Sequence, residues 1–139
     1  MIHAGRCHCG ALEYSYRTSL MPSSWGVRAC ECTFCRSHGA LSTSDPQGSL
    51  TFHLKDARAL LRYRFGLRTA EFLICSHCGV YLGAAIATPR GRFGIININA
   101  LQPRPPDLPQ PQPVSYEGER EADRTARREA RWTPVTGGI

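Results

Sequence analysis

The sequence predicts a mainly β fold of short antiparallel strands, followed by one C-terminal helix. Apolar and polar side chains alternate in several short stretches, which is the pattern of half-buried strands. The chain has 13 glycines and 10 prolines among 139 residues, and these residues predict frequent turns between short elements. Seven cysteines fall into close groups of two, three and two, a grouping that indicates metal-binding turns.

Seven stretches carry the strand pattern, and two of them lead directly into a cysteine group. In chain order, the predicted strands lie at residues 11–16, 25–29, 50–54, 59–65, 72–74, 80–86 and 93–98. The second ends before Cys30 and the fifth before Cys75, so strands are expected to deliver both cysteines to loops. Neither GxGxxG nor GxxxxGK[ST] occurs. The sequence therefore lacks the usual glycine-rich motifs of nucleotide-binding folds.

The C-terminal part differs in composition from residues 1–101, which we predict to form a single zinc-binding domain. Six prolines within residues 102–113 predict an extended connector over residues 102–116, because proline cannot continue a helix or a ladder. Residues 117–139 are predicted to be a helical tail, with the helix reaching about Trp132, whose side chain is expected to dock on the body. Arginines recur at three- and four-residue spacing at Arg120, Arg124, Arg127, Arg128 and Arg131. Because acidic residues interleave with them, we interpret this face as solvated and salt-bridged rather than as a nucleic-acid-binding face.

The formal net charge of the chain is +6, and most of the excess lies before residue 117. A basic body favours anionic partners such as nucleic acid or a small carboxylate substrate, although scattered solubilising arginines fit equally well. We expect a small molecule rather than nucleic acid as the partner.

No apolar run reaches the ~18 residues of a membrane span, and residues 1–10 lack the apolar segment of a signal peptide. We therefore expect a cytoplasmic protein with reduced thiols, which bind metals more often than they form disulfides.

Four cysteines predict a structural zinc site. Cys7 and Cys9 form one close pair, and Cys75 and Cys78 form another. Each pair is followed by a glycine, which permits the turn that points backbone amides at metal-bound sulfurs. Two such pairs supply the four soft ligands of a tetrahedral site. Disulfides are disfavoured, because cysteines one residue apart bridge only with strain and the odd total leaves one thiol over.

The remaining cysteines, Cys30, Cys32 and Cys35, offer three ligands. Three protein ligands with a vacant fourth position are typical of a catalytic zinc rather than a structural one. Two alternatives stay open from the sequence. His38 could complete a second structural site, or Cys32 and Cys35 could form a thiol redox loop.

A zinc ion held by three thiolates favours one kind of chemistry. The site carries a net charge of about −1 by counting ligands, so it ionises water less well than a site of neutral histidines. It is better suited to holding an incoming thiol as a fourth thiolate. Such a sulfur is deprotonated at neutral pH yet remains nucleophilic. The predicted reaction is the addition of a substrate thiol to an aldehyde, with hydrolysis disfavoured.

Three motifs together resemble the glutathione-dependent formaldehyde-activating enzyme family, also called the centromere protein V family. They are Gly5-Arg6-Cys7-His8-Cys9-Gly10-Ala11, Cys30-Glu31-Cys32-Thr33-Phe34-Cys35-Arg36-Ser37-His38-Gly39-Ala40 and Cys75-Ser76-His77-Cys78-Gly79-Val80. The order and spacing of all seven cysteines match, over about Gly5 to Leu101. The chain departs from the family at Ile74, where an aromatic residue is frequent.

The resemblance implies an Mss4-like β fold with two Zn²⁺ ions. It implies that Cys7, Cys9, Cys75 and Cys78 hold the structural zinc, and that Cys30, Cys32 and Cys35 hold the catalytic one. The second zinc would accept the sulfur of glutathione while S-hydroxymethylglutathione forms from formaldehyde, which is carbon–sulfur lyase chemistry. A non-catalytic zinc-stabilised binding module and a thiol or metal sensor remain the alternative functions.

Side chains around the cysteines have weaker predicted roles. His8 and His77 lie inside the two turns and are expected to point away from the metal. His38 is the histidine closest to the cysteine triplet, although packing or exposure is the commoner role for such a residue. Arg36 could pair with a substrate carboxylate or could be an ordinary surface residue.

Overall fold

The computed structural model describes residues 1–139, and most of its regular structure is β. The strands are β1 Ile2–Arg6, β2 Leu12–Arg17, β3 Arg28–Cys30, β4 Ser42–Thr43, β5 Ser49–Leu54, β6 Leu60–Tyr63, β7 Glu71–Cys75, β8 Tyr81–Thr88, β9 Gly91–Asn97, β10 Gln112–Val114 and β11 Thr133–Pro134. The α-helices are α1 Thr33–His38 and α2 Glu121–Arg131, and short 3₁₀ turns lie at Pro22–Ser24, Ala57–Ala59 and Ile98–Ala100. The predicted mainly β fold with a C-terminal helix is therefore confirmed. Neither α-helix has the length and apolar character needed to cross a membrane.

The strands form two sheets. A three-stranded sheet has the order β1-β2-β5, and a larger sheet has the order β10-β3-β4-β9-β8-β7-β6, with β11 added beside β9. Neighbouring strands are antiparallel, as predicted, except for the parallel pair of β10 and β3. The hairpins β1–β2 and β7–β8 each carry one of the two-cysteine groups at their turn.

The core joins side chains from both sheets. Leu12, Tyr14 and Tyr16 on β2 are almost fully buried, as their alternation predicts, and they pack in one cluster with Leu82 and Ile96 of the large sheet. The Tyr14 hydroxyl donates a hydrogen bond to the Asn97 carbonyl at 2.9 Å, which joins the sheets through a buried polar contact. Fully burying an apolar side chain stabilises a fold by about 1.5–3 kcal/mol, so this cluster is a main source of stability.

Local elements differ from the sequence prediction in several places. The short strands β4, β10 and β11 were not predicted, and α2 begins only at Glu121. β1 was not predicted, because its residues lack clear alternation; Ile2 is 54% exposed at the sheet edge. The stretch predicted as a strand from Trp25 enters the ladder only at Arg28, since a 3₁₀ turn precedes it. The predicted loop after Cys30 contains α1 instead.

The C-terminal residues contact the body at several points. Val114 of β10 aligns with Cys30 of β3, and the flanking hydrogen bonds run from the Gln112 amide to the Val27 carbonyl and from the Glu31 amide to the Val114 carbonyl, both 2.9 Å. Pro113 lies between these bonds on an edge strand, where a missing N–H costs nothing. β10 is therefore hydrogen-bonded directly to β3, the strand that ends at Cys30.

Trp132 fixes the end of α2, as expected. Its side chain is 5% exposed and packs in a cluster with Ala70, Ala84, Ile86 and Ile95. The next residue, Thr133, pairs with Gly94 of β9. The helix is thus anchored by a buried aromatic ring and a short strand.

We predict that Trp132→Ala lowers the free energy of unfolding by about 3–5 kcal/mol, the usual cost of truncating a buried tryptophan. Urea unfolding followed by far-UV circular dichroism measures this loss. The matched control is Met21→Ala, because Met21 is 68% exposed and its truncation is expected to change stability by less than about 0.5 kcal/mol. An equally small effect of Trp132→Ala would contradict the anchoring role of the ring.

Candidate functional site

Four cysteines from the two hairpin turns lie together. The sulfurs of Cys7, Cys9, Cys75 and Cys78 lie within 4.8 Å of one another. Cys9 Sγ is 3.7 Å from Cys7 Sγ and 3.6 Å from Cys75 Sγ, far beyond the ~2.05 Å of a disulfide bond. Four sulfurs bound tetrahedrally at 2.3 Å from zinc are separated by about 3.8 Å. The donor set and its spacing therefore fit a four-thiolate zinc ion.

Both turns use the same backbone device. Gly10 has a φ of +83° and Gly79 a φ of +82°, a left-handed conformation that other residues adopt with strain. In the first turn, the Leu12 amide donates to Cys7 Sγ at 3.3 Å, and such a donor stabilises a thiolate. Burial opposes ionisation of Cys78 in the second turn. Amide donors from Cys9 of the first turn and from Val80, together with the side chains of Cys75 and Cys7, outweigh it and lower the pKa of Cys78 to about 6. His8 and His77 do not belong to the sulfur group.

The other three cysteines form a second group, called here the triad. The sulfurs of Cys30, Cys32 and Cys35 also lie within 4.8 Å of one another. Cys30 ends β3, Cys32 is the N-cap of α1, and Cys35 lies in the first turn of that helix. The Cys35 amide donates to Cys32 Sγ at 3.4 Å, so one sulfur caps the helix that carries another. The short helix missed by the sequence analysis therefore brings the triad together.

The triad contains one thiol that ionises easily. A hydrogen bond with the Cys35 side chain lowers the pKa of Cys30 to about 5, and the same contact raises the pKa of Cys35. No histidine or carboxylate belongs to the group. His38 instead packs its ring against Phe34, with ring centroids 4.6 Å apart. The donor set is three cysteine sulfurs, which fits a zinc ion with one further coordination position.

The triad lines a cavity of about 410 Å³, a size within the usual range for small-molecule sites. An aromatic wall is formed by Phe65, Phe72, Tyr81 and Trp132. Four arginines also line the cavity and give it positive charge: Arg28, Arg124, Arg127 and Arg128. The cavity thus combines thiols, apolar surface and positive charge. Arg36 is exposed and does not line it.

The arginines of α2 correct the interpretation of that helix as a solvated face. Arg128 is 7% exposed, and Arg124 and Arg127 are mostly buried ion-pair partners of Glu119. Arg127 donates two hydrogen bonds of 3.0 Å to the Glu119 carboxylate and lies 3.6 Å above the Tyr116 ring. The expected salt bridges exist, but they line the cavity because Trp132 packs the helix against the body. Spacing alone gave no sign of this, since an arginine face looks the same whether it meets water or a cavity.

Comparisons with known proteins identify the family of this chain. A family model described as glutathione-dependent formaldehyde-activating enzyme matches residues 2–117. The crystal structure of a Rhodobacter sphaeroides protein, solved as a structural genomics target, is similar with a TM-score of 0.61 and 30% sequence identity. That similarity covers 80% of this chain and 99% of the other. Helix α2 lies beyond the residues that the family model matches. The chain therefore belongs to the glutathione-dependent formaldehyde-activating enzyme family.

Proposed function

We propose that this protein is a zinc-dependent carbon–sulfur lyase-type enzyme that adds glutathione to formaldehyde. The observation that carries the proposal is the cysteine triad at the wall of a cavity large enough for a small thiol. In this proposal, Cys7, Cys9, Cys75 and Cys78 hold a structural zinc, and Cys30, Cys32 and Cys35 hold the catalytic one. Family membership supports the choice of glutathione and formaldehyde.

The reaction is balanced without another reactant. The sulfur forms a bond to the aldehyde carbon, the carbonyl π bond breaks, and the thiol proton ends on the new hydroxyl oxygen. When bound by the triad, zinc would supply a position that keeps the substrate sulfur in its nucleophilic thiolate form. The reverse direction cleaves the carbon–sulfur bond, which is the lyase reaction.

The side chains around the triad favour this chemistry. Tyr81 is 2% exposed and packs beside Cys35, so its ring shields that side of the triad from solvent. Lower polarity strengthens every charge interaction inside the cavity. The low pKa of Cys30 makes at least one ligand available as a thiolate at neutral pH. Cys32 Sγ caps the N-terminus of α1 by accepting a hydrogen bond from the Cys35 amide. In the proposed site the same sulfur is also a zinc ligand.

The direct test measures exchange between glutathione and its formaldehyde adduct by magnetization-transfer NMR, together with the zinc content of the protein. We predict two zinc ions per chain and an exchange rate well above that of the protein-free mixture. Removal of the more weakly held zinc with a chelator should abolish the acceleration while the far-UV spectrum is retained. The absence of acceleration in a protein with two zinc ions would refute the proposal, and one zinc with three free thiols would refute the triad as a metal site.

A further inference from the structure

We infer that Arg28 and Arg128 form an anion site for carboxylates of the thiol substrate, so that the C-terminal segment selects anionic thiols. The inference rests on the proposed function for the identity of the thiol. It goes further in assigning the recognition to named residues, one of which lies outside the family-matched region.

Arg128 is a buried cation without a carboxylate partner. Its side chain donates a hydrogen bond to Thr69 Oγ1 at 2.8 Å and lies 4.8 Å from the Trp132 ring. Its Nε is buried and has no hydrogen-bond partner. No carboxylate oxygen lies within 4.0 Å of its guanidinium group. Buried arginines are almost always paired, and Arg128 lines the cavity. We therefore expect its missing partner to be an anion bound in the cavity.

Arg28 is a second cation that lines the cavity, and it is partly buried. It lies two residues before Cys30 on β3, and one of its guanidinium nitrogens donates to Ser44 Oγ at 2.9 Å. It also has no carboxylate oxygen within 4.0 Å. Burial and the charges of Arg127 and Arg124 lower the pKa of Arg128 to about 10, and an arginine side chain is not deprotonated in proteins near neutral pH. Both groups remain cations at neutral pH.

The neighbouring charges do not neutralise these two arginines. Arg124 and Arg127 share the carboxylate of Glu119. Glu31 and Glu117 also line the cavity but are exposed, so water screens them. The triad with bound zinc contributes about one negative charge by ligand counting, which leaves the arginines in excess. An uncompensated buried charge is costly, and a substrate carboxylate removes that cost.

The matching ligand is a small thiol that carries carboxylates. Guanidinium groups bind carboxylates through paired hydrogen bonds, and a sulfur at the triad places the rest of the molecule in the cavity that the arginines line. A neutral thiol of the same size would leave Arg28 and Arg128 unpaired. Through Arg128, the C-terminal helix therefore contributes substrate specificity in addition to lining the cavity.

The test uses the zinc-loaded full chain and S-methylglutathione, whose sulfur is capped and whose two carboxylates are free. We expect Arg128→Gln to weaken its binding, measured by isothermal titration calorimetry, by about tenfold or more, because removing one partner of a buried, hydrogen-bonded charge pair weakens binding by at least this factor. The diethyl ester of the same peptide should bind weakly to the wild-type protein and to Arg128→Gln. Its dissociation constants for the two proteins should differ by less than about twofold. The control is Arg131→Gln, since Arg131 lies on the same helix but is exposed and outside the cavity.

Thermal unfolding of each variant separates a lost site from a lost fold. If Arg128→Gln does not fold, Arg28→Gln provides the same test from β3, with the same expected loss of diacid binding. Unchanged binding of S-methylglutathione in a folded variant, or equal loss of the diacid and its ester, would overturn the inference. Arginine-dependent binding without any acceleration of the formaldehyde reaction would instead refute the proposed function and leave the anion site in place.

Discussion

Replacing Cys78 with serine is expected to unfold the protein. Cys78 belongs to the group with Cys7, Cys9 and Cys75, and the sulfurs of Cys7 and Cys75 lie inside the main core. Structural zinc contributes about 10–16 kcal/mol to the folding of small zinc domains, whereas a whole domain is stable by only about 5–15 kcal/mol. In the proposed site, loss of one ligand would also leave buried thiols without their partner ion. Far-UV circular dichroism and the zinc content of the purified variant measure the effect.

The control for this variant is His77→Ala, which alters the same turn without touching the sulfur group. His77 is exposed and is not among the potential ligands, so the variant should fold and bind two zinc ions. A Cys78→Ser protein with a native melting temperature would refute the structural role of the four-cysteine group.

Replacing Cys32 with serine is expected to abolish the enzymatic activity while the fold remains. Cys32 is the N-cap of α1, where its sulfur accepts a hydrogen bond from the Cys35 amide. Serine is among the preferred N-cap residues, so α1 should still form and hold Cys30 and Cys35 in place. Two thiolates are too few for the proposed catalytic site, and the exchange rate should fall to that of the protein-free mixture. The variant should contain one zinc instead of two.

Arg36→Gln is the matched control for Cys32→Ser. Arg36 lies on the same helix but is exposed and outside the cavity, so its replacement should leave the exchange rate unchanged. Equal loss of folded structure in Cys32→Ser and Cys78→Ser would contradict the division into a catalytic and a structural site. Retention of full activity in Cys32→Ser would refute the triad as the catalytic centre.

The sequence was sufficient to predict the cysteine groups and most strands, because both depend on local spacing. Leu12, Tyr14 and Tyr16 must share one face of any strand, and that face is buried as predicted. The turn glycines Gly10 and Gly79 adopt the left-handed backbone that metal-binding turns require. The family resemblance rested on the same short-range motifs, and the family match confirms it.

Only the tertiary structure decided what surrounds the triad. Arg28 and Arg128 are 100 residues apart in the chain, and the periodicity of α2 is equally compatible with solvent and with a cavity wall. Burial of Trp132 selects the second arrangement, since its ring packs on the large sheet and carries the helical arginines to the cavity. The sequence by itself determined which residues can bind metal, because ligand spacing is local. The charge and shape of the cavity depend on long-range packing, and these properties could be found only in the folded chain.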